Sequence, residues 1–159
     1  MIVIAIYMLI ACTLFTLSFI ARRRFGLLGL ALAAGSLLSG IWGYDAELVA
    51  GFLGAPSGPL TSAVVLSIIV LLPASALLFH GYAYKKLIGR IIGAILFTVL
   101  ALAFLIEPLG HALVPQGFGE NAYLWIESNR AVIIGWGMII AVVDIFLTKP
   151  VKPTEKSKH

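Results

Sequence analysis

Glu107 and His111 are the residues of this chain whose types and spacing most invite chemistry. Four positions apart, a carboxylate and an imidazole share one face of a helix and could hold a metal ion or pass a proton. Pro108 falls between them, however, and two ligands are too few for a tetrahedral zinc site. No metal site is expected. His80, near the end of another apolar run, reads as a structural or headgroup-contacting residue.

Arg90 and Asp144 form the second constellation. Asp144 is the only carboxylate clearly inside an apolar run, and Arg90 sits three residues into another. A lone charge at the centre of a bilayer costs about 2.5–3.5 kcal/mol, and an opposite charge at similar depth lowers that cost. An intramembrane Arg90–Asp144 ion pair is therefore expected, with snorkelling of Arg90 toward the headgroups as the alternative.

The chain holds one cysteine, Cys12, which excludes an internal disulfide and any multi-cysteine metal site. The surrounding "LIAC" is similar to a lipoprotein cleavage box. No basic residue precedes it and the apolar run continues to Ile20, so a retained helix is expected instead. Gly-x-Ser-x-Gly, His-Glu-x-x-His and P-loop patterns are all missing from the sequence. No catalytic residue and no cofactor are assigned, and the chain reads as non-enzymatic.

The elements that would position these residues are membrane helices. Of 159 residues, 61% are hydrophobic and only 11% charged, less than half the roughly 25% of a soluble domain. Apolar stretches of the length needed to cross a hydrocarbon core about 30 Å thick recur along the chain. An all-α, polytopic helical membrane protein is expected, with a single bundle over residues 1–148 and spans at about 1–21, 25–44, 60–84, 87–106 and 131–148. Residues 149–159 form a basic tail with too few apolar side chains to pack. Asp45 is positioned to cap a short surface helix after the second span, Thr61 or Ser62 to cap the third, and Pro73 to kink it. Glu107-Pro108 closes the fourth span, and a loop follows to Arg130.

The net charge of +4 does not point to nucleic acid, because the basic residues cluster between apolar runs rather than along a soluble face. They report orientation. With five spans and the N-terminus outside, Arg22, Arg23, Arg24, Lys85, Lys86, Arg90, Lys149, Lys152, Lys156 and Lys158 fall on the cytoplasmic side and only Arg130 outside. That asymmetry satisfies the positive-inside rule, whereas a four-span arrangement largely loses it. Trp42, Tyr44, Tyr123 and Trp125 would form an outer aromatic belt, and Tyr82 and Tyr84 an inner one.

Small residues supply candidate packing faces. Gly89 and Gly93 form a Gly-x-x-x-Gly pair, and Gly29, Ala33, Ser36 and Gly40 line one face of the second span. In lipid, where apolar burial contributes little, such faces let helix backbones approach. The second and fourth spans are expected to meet through them.

The order of features in residues 1–106 resembles the colicin V production protein (CvpA-like) membrane family. An apolar helix is followed by a basic turn and a glycine-containing helix, "SFIARRRFGLLGL". An acidic-aliphatic outer segment, "YDAELVAGFLG", comes next, and after a third helix the phrase "YKKLIGRIIGAILF" is similar to the family's basic, glycine-spaced motif. The family commonly has four spans, so the fifth is an addition. The resemblance implies a small bacterial inner-membrane protein of envelope homeostasis or export. The expected partners are the lipid bilayer and either further copies of the chain or another membrane protein. A channel or transporter built by homo-oligomers around Ser36, Ser39 and Gly40 is the alternative.

Overall fold

Inside a bilayer every backbone N–H and C=O needs a partner within its own segment, so long apolar runs resolve into helices. A computed structural model describes residues 2–52, 54–56, 58–79, 84, 87–110, 112–115, 117 and 119–147. These form six α-helices and no strand among the described residues: α1 (Ile2–Ala21), α2 (Phe25–Phe52), α3 (Pro59–Phe79), α4 (Leu87–Gly110), α5 (Glu120–Ser128) and α6 (Arg130–Phe146). His80, Tyr82, Lys85, Lys86, His111 and the basic tail lie outside the described residues.

Four helices, α1 to α4, are long and apolar enough to cross a membrane, and α5 with α6 make a fifth candidate bent by 63°. The hydroxyls of Thr13, Thr16, Ser67 and Thr98 each donate to the carbonyl four residues back, which hides them within their own helices. Large apolar side chains nevertheless cover the outside, among them Leu9, Ile20, Ile41, Ile68, Ile88 and Val143. Helices apolar all round suit a lipid environment.

The core forms around α4, whose Phe97, Leu100, Ala101 and Leu105 are fully buried against Phe25, Leu28 and Leu32 of α2, Val70 of α3 and Ala141 of α6. By contrast, α1 buries only Leu14 and Ser18. Among the described glycines, the tightest approach to another helix backbone joins α2 to α3. A Cβ added at Gly35 would lie 2.1 Å from the carbonyl oxygen of Val70, so any larger residue forces those helices apart.

Several boundaries differ from expectation. Residues 45–52 do not form a separate surface helix capped by Asp45, because α2 continues unbroken to Phe52. No proline lies between Ile41 and Leu48, the single Gly43 is carried within the helix, and solvent accommodates Asp45. Termination waits for Gly54, whose φ of +78° permits a Schellman closure with Gly54 N donating to Gly51 O and Ala55 N to Ala50 O. Pro59, rather than Thr61 or Ser62, opens α3, since proline lacks the N–H that the first turn would leave unpaired. The Thr61 hydroxyl donates to Pro56 O and that of Ser62 to Gly58 O. Pro73 lies inside α3, which continues through it as one helix. Pro108 likewise lies within α4, which ends at Gly110.

Candidate functional site: polar clusters at the two ends of the bundle

Where α1, α3 and α6 end and α2 and α4 begin, free helix-terminal carbonyls and amides converge. Each terminus leaves such groups unpaired, and low-dielectric surroundings make that costly. Side chains from other helices satisfy several of them. Arg23 Nε donates to Leu78 O of α3 at 2.9 Å, and Arg90 Nη2 donates to Phe19 O of α1 at 2.9 Å. Both place a cation at a helix C-terminus, where the macrodipole favours it. Conversely, the first amides of α2 find oxygen acceptors: Phe25 N donates to the Tyr84 hydroxyl at 3.2 Å and Gly26 N to Asp144 Oδ2 at 2.9 Å.

Tyr84 connects these contacts. Its backbone N–H donates to Arg22 O at 2.8 Å, where Arg22 takes a left-handed φ of 57° to close α1. The Arg24 guanidinium carbon lies 5.6 Å from the centroid of its ring. Burial raises the phenol above its ordinary pKa of 10.0. The hydrogen bond from Phe25 N opposes that shift, and the charge of the adjacent Asp144 reinforces it. The ring fills the slot over Gly89 and Gly93, where an added Cβ would lie 3.0 Å and 2.7 Å from ring carbons. The glycine pair of α4 thus receives a tyrosine rather than a neighbouring helix.

Among the described residues, the hydrogen bonds seen at Arg90 and Asp144, the two residues expected to pair, go to other helices. Arg90 stays with α1, hydrogen-bonded to Phe19 O and stacked 4.4 Å from the centroid of the Phe19 ring. Asp144 turns to the N-terminus of α2. The physical reason is helix rotation: the face of α4 carrying Arg90 meets α1, and the face of α6 carrying Asp144 meets α2. Of the α2 stripe, Gly29 approaches Ala141 Cβ and Leu100, Ala33 packs against the core, Ser36 lines a cavity, and Gly40 has nothing within 4 Å of an added Cβ.

At the opposite end, Glu107 near the end of α4 pairs with Arg130 at the start of α6. Since Asp144 near the other end of α6 bonds to the start of α2, α6 runs along the bundle over the same depth as its neighbours. Tyr123 is buried rather than part of an exposed belt. It packs edge-on against Tyr7 with centroids 6.0 Å apart, and the Tyr7 hydroxyl donates to Leu113 O at 3.2 Å. Trp42, Tyr44 and Trp125 are exposed.

Among the described residues, cavities open at this end, and three of them border Glu107 or α5. An apolar crevice of about 200 Å³ lies between α1, α4 and α5. A polar pocket of about 320 Å³ is lined by Glu107, Tyr123, Glu127 and Arg130. A third cavity, of about 170 Å³, has Ser36, Ser39 and Gly40 on one side, Glu107 at its rim, and Val70 and Phe104 as apolar walls.

Sequence reasoning missed α5, the Glu107–Arg130 pair and the role of Tyr84. The first had a signal: Gly119 precedes a nine-residue stretch in which Ala122, Tyr123 and Ile126 recur at helical spacing. The other two depend on contacts between distant segments and had none. No family model matches the chain, and no curated protein or solved structure does so either.

Proposed function

We propose that this protein is a small, non-enzymatic, multi-pass membrane protein that acts by assembly, with itself or with another membrane protein. The supporting observation is how its polar side chains are used. Arg23, Arg90, Asp144 and Tyr84 complete helix termini, and Glu107 with Arg130 joins α4 to α6. The lateral surface stays apolar, and α1 presents most of its length outward, with only Leu14 and Ser18 buried within the chain. Five spans with the N-terminus outside and the C-terminus cytoplasmic agree with the basic-residue asymmetry. The CvpA-like resemblance extends the reading to the bacterial inner membrane and to envelope homeostasis or export.

The test is a native-mass determination on tagged protein gently extracted from its own membrane. A defined complex, homomeric or with a partner, is the expected result, and a monomer surrounded only by lipid would refute the reading.

The cavity bearing Ser36, Ser39 and Glu107 favours a second reading, a solute path completed by oligomerisation. Liposome flux tests it: substrate-dependent flux abolished by Ser36→Trp would support transport, and the same leak in the variant would sink it.

A further inference from the structure

The apolar crevice and the charged pocket on either side of α5 share two wall residues, Ile106 and Tyr123. They also meet around the last turn of α5, where Ile126 lines the crevice and the next residue, Glu127, lines the pocket. An apolar slot next to a charged pocket has the amphipathic division of a lipid. We propose that this end of the bundle binds one phospholipid whose head carries a phosphate and a primary ammonium, of the phosphatidylethanolamine type.

Charge complementarity selects that head. Two carboxylates and one guanidinium face the pocket, so an anionic head meets net repulsion while an ammonium meets excess negative charge. Arg130 makes its hydrogen bond through Nη2 to Glu107, and among the described residues its guanidinium has no second acceptor, although the Nε itself is enclosed by protein. With five N–H donors on the group, it retains capacity for a phosphate oxygen. Glu107 and Glu127 accept hydrogen bonds, which a primary ammonium donates and a quaternary one does not. One acyl chain then lies in the crevice, against Ile4 and Met8 of α1, Leu102 of α4, and Ala122 of α5. The leaflet follows from the orientation proposed above, but the site itself does not depend on it.

Native mass spectrometry of the full chain released from nanodiscs tests this. The nanodiscs contain phosphatidylethanolamine, phosphatidylcholine and phosphatidylglycerol in equal mole fractions. One phosphatidylethanolamine should be retained above its mole fraction. Glu127→Gln should cut that enrichment about two- to fivefold, as expected for losing one exposed ionic partner, and Ala122→Trp, which fills the crevice, should remove it. Both positions are exposed, and Glu127→Gln alone decides the matter where the tryptophan variant fails to fold. Retention in proportion to mole fraction, preference for either other lipid, or enrichment unchanged by Glu127→Gln would overturn the proposal.

Discussion

The backbone amide of Gly26 donates to the Asp144 carboxylate at 2.9 Å, joining the first turn of α2 to the last turn of α6. The contact requires a glycine. A Cβ at position 26 would lie 2.5 Å from Ala141 O and 3.1 Å from the carboxylate itself. Residues 118 apart in sequence are brought together here, so α6 is built into the same bundle as the first four helices.

Gly26→Ala should therefore destabilise by about 1–3 kcal/mol, the usual cost of overpacking a filled site. Asp144→Ala should cost about 0.5–2 kcal/mol, as for loss of a helix N-cap, and Asp144→Asn less, because an acceptor oxygen remains. Thermal unfolding in detergent measures all three. Equal stability of the two Asp144 variants would remove the capping role.

Gly93→Leu should destabilise by displacing the Tyr84 ring, not by separating α4 from α2. A double-mutant cycle distinguishes these causes. In a Tyr84→Ala background the cost of Gly93→Leu should shrink, and full persistence of that cost would contradict the tyrosine slot.

Tyr84 also sets an alkaline limit. Because its folded pKa is raised above 10.0, its contribution to stability is complete below the unfolded pKa and is lost as pH rises through that value toward the folded one. Tyr84→Phe removes the acceptor for Phe25 N and should be less stable at neutral pH, but its stability should fall less steeply above pH 10. Parallel curves for the two proteins would exclude the assignment.

Exchanging charges between Arg90 and Asp144 should give no rescue. Since Arg90 serves Phe19 O and Asp144 serves Gly26 N, Arg90→Asp combined with Asp144→Arg should accumulate no better than the worse single variant. Rescue above both singles, read by quantitative immunoblotting of membranes, would restore a direct ion pair. Phe19→Leu should cost about 0.5–1 kcal/mol through loss of the cation–π contact.

The amino-acid sequence determined the material of this protein. Uninterrupted apolar length sets the starts of four helices within a residue of their expected positions, although α2 overruns its expected end by about eight residues. A segment that hides its own backbone needs only its own residues. The arginines at 22–24 and 90 were legible as end markers for the same reason, since the hydrocarbon core excludes them. Local chemistry went some way further: Pro59 and Gly54 mark a start and a stop through their own backbone preferences. It failed at Asp45 and Pro108, where helical neighbours carried the chain past a residue that alone suggests a boundary.

Only the tertiary structure decided what the polar residues hold. Arg90 and Asp144 enter at similar depth, yet their partners depend on how α4 and α6 are rotated about their axes, a choice made by core packing. Gly89 and Gly93 have the spacing of a helix–helix contact, but a tyrosine from the adjoining connection fills the space. Gly35 and Gly26, which no motif marks, make the close approaches. Spacing along one helix defines a face, whereas the occupant of that face is set by every other helix at once.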